Sequence, residues 1–270
     1  MTQFGLNGGD LDVGDFPKGM AMTSVYDALQ RVRQSARQVV SRPLAPGDEL
    51  PALQPVVRPA VTRLPGPIAV ELTPLLAVIR PLIDQTRGAV VHFVATAAGE
   101  GTSTMAREFA LLAGTTGHRR TLLIDATPDL DTARYFDCDR SRGLIDGIWV
   151  GFDEAELQRP VTDTTLSVAC LVGERGASHT DPATLGALYD QLRLQFELVV
   201  VDCPALDRGD YATLLPDQAD GIFLVIRAES TRPAVIAHGK ALVEQAGGRF
   251  LGAVFNRRRN YIPGFLYRML

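Results

Sequence analysis

Val91-His-Phe-Val-Ala-Thr-Ala-Ala-Gly-Glu-Gly-Thr-Ser-Thr104 constrains this chain more than any other stretch. An apolar strand runs into a Gly-Glu-Gly turn, and hydroxyl residues then open a helix. That is the layout of a phosphate-binding loop, in which backbone N–H groups converge on an anion at a helix N-terminus. In the usual motif the residue after the last glycine is Lys. Here it is Thr102. The chain has only two lysines, Lys18 and Lys240, and arginine supplies the other 25 of its 27 basic residues. No neighbour in sequence restores the missing charge, so the loop keeps its shape and lacks its principal cation.

The rest of the chain divides into a polar N-terminal region and an α/β domain. Residues 1–67 read as a flexible region. Within it Ser24–Val39 has a helical pattern, with Val25, Leu29, Val32 and Ala36 on one face. Seven prolines between Pro43 and Pro67 mark an extended linker, because proline lacks the N–H that helices and sheets use. From residue 68 to 270 strands and helices alternate. Glu71–Ile83 reads as a helix, 89–95 as a strand and 103–113 as a helix. Strands follow at 120–125, 166–172, 198–202, 221–226 and 252–256. Helices are expected at 144–150, 154–158, from 182 to about 194, and at 231–245. Apolar strands alternating with helices predict a three-layer α/β/α fold with a mostly parallel central sheet, of the P-loop NTPase kind.

Ligands in such sheets bind at the carboxyl ends of the strands. Thr102, Ser103, Asp125, Asp202 and Asn256 all sit there. Gly99, Glu100, Gly101, Thr102, Ser103 and Thr104 would form the anion cradle. Ser103 stands where a hydroxyl ligates Mg²⁺, and Asp202 ends the run Leu198-Val-Val-Val-Asp as a Walker-B acid does. Ser103, Asp125 and Asp202 together make a sensible Mg²⁺ environment, since that ion takes few carboxylates plus water and phosphate oxygens. Plainer readings stand beside these. The glycines would also serve a simple turn, Asp125 would also cap the loop after its strand, and Asn256 is as readily a turn residue as an adenine contact.

Composition excludes other classes. A formal charge of −4 gives no electrostatic footprint for nucleic acid. Cys138, Cys170 and Cys203 have no metal spacing and read as small buried hydrophobes of a reducing compartment. His92, His118, His179 and His238 form no ligand motif. There is no signal-peptide pattern at the N-terminus and no apolar run of membrane-spanning length, so a cytoplasmic location is expected.

From about Glu71 to Asn256 the chain resembles bacterial tyrosine autokinases of capsular and exopolysaccharide biosynthesis, in the MinD/ParA branch of P-loop proteins. Gly-Glu-Gly-Thr-Ser-Thr104 is similar to their Gly-Glu-Gly-Lys-Ser-Thr loop. Leu122-Leu-Ile-Asp-Ala-Thr127 is similar to their Walker A′ segment Leu-Ile-Asp-Ala-Asp. Phe196-Glu-Leu-Val-Val-Val-Asp-Cys-Pro204 resembles Tyr-Asp-Leu-Val-Ile-Ile-Asp-Thr-Pro, and Ser24-Val-Tyr-Asp-Ala-Leu-Gln-Arg31 resembles the N-terminal helix of members made as a separate cytoplasmic chain.

The resemblance implies ATP or ADP with Mg²⁺ as cofactor and Asp125 as the catalytic Walker A′ acid. It implies a membrane chain-length (co-polymerase) protein as partner, leaves self-association open, and places the chain at the inner membrane only through that partner. The departures fall on catalytic and assembly positions. Thr102 replaces the loop Lys and Thr127 the second Walker A′ acid. Pro74 and Ala77 replace the two arginines of an assembly motif that begins at Glu71, and the C-terminal tyrosine cluster is reduced to Tyr261 and Tyr267. The expected product is a degenerate regulator that binds nucleotide weakly or not at all, with Asp125 vestigial. An active tyrosine autokinase and a positioning ATPase of the ParA/MinD type are the alternatives.

Overall fold

The computed structural model describes residues 66–83, 87–117, 119–150, 157–174, 182–208 and 216–257. They fall in one compact unit, Pro51–Leu270. The expected helix at 24–39, most of the Pro-rich linker, the segment 154–156 and the tail with Tyr261 and Tyr267 lie outside the described residues.

The described chain begins with α1 (Gly66–Ile79) and a short 3₁₀ turn (Arg80–Leu82). The helix starts five residues before the expected Glu71, with Pro67 in its first turn, where a missing N–H costs nothing. There follow β1 (Ala89–Ala95), α2 (Thr102–Thr116), β2 (Thr121–Asp125), α3 (Asp131–Tyr135), α4 (Leu144–Val150), β3 (Arg159–Pro160) and β4 (Leu166–Cys170). The chain continues through α5 (Pro182–Gln195), β5 (Leu198–Asp202), β6 (Gly221–Arg227), α6 (Pro233–Gln245) and β7 (Phe250–Asn256). Two elements escaped the pattern of the sequence. The five residues of α3 and the two of β3 are too short for periodicity to register.

The strands form one sheet in the order β3-β4-β2-β5-β1-β6-β7. Every pairing is parallel except that of β3 with β4. Strands β1, β2 and β5 are buried along their whole length, as their unbroken apolar runs require of central parallel strands. On one face Val91, Phe93, Leu123, Val200 and Phe223 pack beneath Leu72 and Ile79 of α1 and Phe109 and Ala110 of α2. The rings of Phe109 and Phe223 each lie 5.2 Å from that of Phe93. On the other face Val90, Val94, Leu122, Ile124, Val199 and Val201 meet Leu144, Leu188, Tyr189, Leu192 and Val243 of α4, α5 and α6. This is the expected three-layer α/β/α arrangement.

Register decides where the site lies. Asp125 is the Cα partner of Asp202 across β2 and β5, and Asp202 is the partner of Phe93 across β5 and β1. Both acids therefore emerge beside the loop that leaves β1. The remaining polar residues of the core are structural. His92 is buried edge-on to Tyr189, and its pKa is pushed down to about 3 by burial first and then by the charge of Arg193. All three cysteines are buried free thiols. Burial pushes those of Cys138 and Cys170 up to about 12, so they remain protonated and unreactive. On α1, Glu71, Pro74 and Ala77 share the exposed side, so that side carries no arginine at the two arginine positions of the assembly motif.

Candidate functional site

The loop after β1 turns on two glycines in the left-handed region, Gly99 at φ 84° and Gly101 at φ 95°. Gly101 is required twice over, since a Cβ there would also fall 2.0 Å from Nδ2 of Asn256. The loop is held by side-chain contacts. The Glu100 side chain turns inward, where its Oε2 accepts hydrogen bonds from Thr96 N (2.8 Å), Thr96 Oγ1 (2.7 Å) and Ala97 N (3.1 Å). Its Oε1 accepts from Arg227 N and Thr231 Oγ1 at the β6–α6 turn. Burial pushes this carboxyl up, but the hydrogen bonds from Thr231, Thr96, Ala97 and Arg227 outweigh it and hold the group below the usual range. Asn256 completes the clamp by donating from Nδ2 to the Glu100 carbonyl at 2.8 Å, while its Oδ1 accepts from Arg257 N. Glu100 and Asn256, both expected to touch nucleotide, thus brace the loop with their side chains.

The two strand-end acids have unequal environments. Asp125 is fully buried, and both its oxygens are occupied. Oδ1 accepts from Thr127 N at 3.0 Å and Thr127 Oγ1 at 2.7 Å, and Oδ2 accepts from Ala133 N at 2.8 Å. It therefore caps the β2–α3 turn and the start of α3, a turn that Leu130 enters at φ 49°. Thr127 is decisive here, because its hydroxyl donates a bond that an ionised Asp in its place could only accept. Asp202 is equally buried, with Oδ2 accepting from Thr132 Oγ1 at 2.7 Å. Its Oδ1 is buried with no hydrogen-bond partner. Burial first, then the neighbouring Asp125, push its pKa up to about 7, against the opposing hydroxyls of Thr132 and Ser103.

A cleft of about 300 Å³ opens over the loop, lined by Gly99, Gly101, Thr102, Ser103 and Thr104. Its far wall is the β2–α3 turn, with Thr127 and Asp129, and the segment after β5, with Cys203, Pro204 and Arg208. Arg257 closes the rim beyond β7. The cleft suits an anion through its backbone, because α2 begins at Thr102 and its first amides have no intrahelical partner. Ser103 lines the cleft and its hydroxyl acts on the buried Asp202 carboxylate behind it, so these two residues are placed to hold a divalent cation. Asp125 is more encumbered, since both of its oxygens already accept hydrogen bonds from the turn. Of the expected ligands Ser103, Asp125 and Asp202, Asp125 is the one most engaged by its own turn. Among the described residues no group of three or more His, Cys, Asp or Glu could hold a metal. Sequence reading missed Thr132 and the pair Asp129–Arg208, whose atoms meet at 3.1 Å. The only available signal was their proximity to the two acids.

Comparison with known proteins bears on the fold and on the relatives of the chain. No family model matches the chain. In sequence it is 26% identical over 165 residues to the tyrosine-protein kinase CpsD of Streptococcus agalactiae, covering 59% of this chain and 70% of the relative. In structure it is similar to the kinase domain of VpsO, at 22% identity and a TM-score of 0.58, over 72% of this chain and 95% of that one. The kinase domain of the Escherichia coli tyrosine kinase ETK matches at 17% identity and a TM-score of 0.57, over 72% and 79% of the two chains. The cell division protein MinD of Aquifex aeolicus matches at 15% and 0.53, over 64% and 70%. The fold is that of the P-loop kinase domains and MinD, and the chain is a sequence relative of a bacterial tyrosine-protein kinase.

Proposed function

We propose that this chain is a catalytically degenerate relative of the bacterial tyrosine kinases, a cytoplasmic regulator of capsule or exopolysaccharide polymerisation and export. On this reading it binds Mg²⁺-nucleotide weakly through the loop amides, Ser103 and Asp202, and transmits the bound state to a membrane chain-length (co-polymerase) protein. The observation that carries the degenerate reading is the joint state of Thr102 and Asp125. The loop residue that would reach the terminal phosphates has no charge, and the acid that would serve chemistry is encumbered by Thr127. Phosphoryl transfer depends on positioning and charge neutralisation. Removing one preorganised donor to a developing charge costs about 2.7–4 kcal/mol, a factor of about 10²–10³. Binding is expected to survive better, because the cradle is backbone and the loop is braced by Glu100 and Asn256.

The absence of arginine along the Glu71, Pro74 and Ala77 side of α1 argues that any self-association uses other contacts. Nucleic acid is not an expected partner, given the net charge of −4. The test is turnover and autophosphorylation of the purified full-length chain beside Thr102→Lys and the double variant Thr102→Lys/Thr127→Asp. Negligible wild-type activity with a gain in the double variant is expected. Wild-type autophosphorylation at the rate of an intact kinase would overturn the proposal in favour of an active enzyme.

A further inference from the structure

We infer that Arg208 is the phosphate-binding cation of this cleft, supplying the charge that Thr102 lacks, and that Asp129 is the anion a polyphosphate must displace from it. The inference rests on the reading of the cleft as a nucleotide site and names the side chain that makes it one.

Position comes first. Arg208 lies on a 3₁₀ turn (Leu206–Arg208) six residues beyond Asp202, and its side chain lines the cleft together with the loop. In the sheet order β5 lies next to β1, on the side of Ser103 and Asp202, where a cation would meet the terminal phosphates. Arg257 also lines the cleft, but it follows β7, two strands from β1 on the opposite side, next to the residue that clamps the loop. Of the two cleft arginines only Arg208 stands on the side where loop Lys charge would act.

The partner is equally informative. Nη1 of Arg208 lies 3.1 Å from Oδ2 of Asp129, which belongs to the turn after Asp125. That turn is fixed from behind, with Arg134 Nη2 donating to the Asp129 carbonyl at 3.2 Å. The ion pair thus lies along the wall of the cleft facing the loop, joining the segments that follow the two buried acids. Its members are 48% and 64% exposed, so water and salt screen it and it is weakly held. A phosphate offers two oxygens to the guanidinium fork and carries more charge than one carboxylate, so it competes successfully for Arg208. The charge of the cleft is therefore conditional. With Asp129 engaged the cleft is close to neutral, and a polyphosphate converts Arg208 from an Asp129 partner into a ligand contact.

The test is calorimetric titration of the full-length chain with MgATP and, separately, with Mg-tripolyphosphate at several salt concentrations. Wild type is compared with Arg208→Gln, Asp129→Asn and Arg208→Gln/Thr102→Lys, and the thermal midpoint of each is measured alongside. Arg208→Gln should weaken both ligands about tenfold and reduce the salt dependence, as loss of one phosphate contact requires. Asp129→Asn should tighten both by about threefold to fivefold. Thr102→Lys should restore most of what Arg208→Gln loses. Because both side chains are exposed, the midpoints should hardly move. Arg208→Gln affinities equal to wild type, or weaker binding by Asp129→Asn, would overturn the inference and leave the nucleotide reading standing. No binding of either probe to wild type at millimolar concentration would overturn both.

Discussion

Replacing Asp202 by Asn should stabilise the nucleotide-free protein at pH 8 and leave it almost unchanged at pH 5. Asp202 is fully buried, and its pKa is raised from the ordinary 3.8 to about 7 by burial and by Asp125 across the β2–β5 register. Between those two values the unfolded chain has released a proton that the native state still holds. Stability therefore falls as pH climbs through that window and stays reduced above it. About three pKa units at 1.36 kcal/mol each place on the order of 4 kcal/mol on this one carboxylate at pH 8. Asn has the same shape and no charge, and Thr132 Oγ1, now a donor to Oδ2, remains available to its amide oxygen.

The variant should then exceed wild type by up to about 4 kcal/mol at pH 8, or on the order of 10 °C in thermal midpoint for a domain of this size. At pH 5, where wild-type Asp202 is protonated, the gap should shrink to within about 1 kcal/mol. Urea unfolding in chelator at the two pH values is the assay. Groups that do not interact with Asp202 are common to both proteins and cancel in the difference, whereas relief of Asp125 is part of the gain. With Mg²⁺-nucleotide the order should reverse, because a bound cation keeps Asp202 ionised and Asn removes it. A variant less stable than wild type at pH 8 without metal would refute the argument, as would a gap that is the same at both pH values.

Other expectations follow from the same contacts. Gly101→Ala forces a Cβ onto Asn256 at positive φ, and should cost about 1–3 kcal/mol in urea unfolding together with any nucleotide binding. Thr127→Val removes the hydroxyl donor to buried Asp125, and should cost about 1–3 kcal/mol in urea unfolding. His92 behaves oppositely to Asp202. Its native pKa of about 3 lies below the unfolded 6.5, so its neutral burial destabilises the protein progressively as pH falls through that interval. His92→Phe should accordingly flatten the acid limb of a stability–pH profile, and an unchanged limb would contradict the assignment.

Much of this molecule was legible in the linear chain. The strands announced themselves as apolar runs, 198–202 and 221–226 most plainly, because central parallel strands are covered on both faces and tolerate nothing else. The loop was legible because a left-handed turn at a helix start demands glycine, and Gly99 and Gly101 supply it. Even the ends of β2 and β5 were marked, since an acid closing an apolar run is conspicuous. Where the reading was incomplete, the elements were too short for a period to show, as with α3 and β3, or the question concerned where a side chain goes.

The sequence by itself determined the layers, the order of the elements and the residues that reach the ligand end of the sheet. It also determined that the loop has no lysine, a matter of covalent structure alone. Tertiary structure alone decided what those residues do. Glu100 braces the loop through Thr231, 131 positions away, and Asn256 clamps it from 156 positions away. Thr132 reaches Asp202 across 70 positions, and Arg208 meets Asp129 across 79. Hydrophobic pattern is a local, periodic property and is written along the chain, whereas the partner of a polar group is fixed by distance in the folded molecule. Asp125 and Asp202 look alike as strand-end acids. Folding gives both oxygens of the first a hydrogen-bond partner in its own turn and leaves Oδ1 of the second without one.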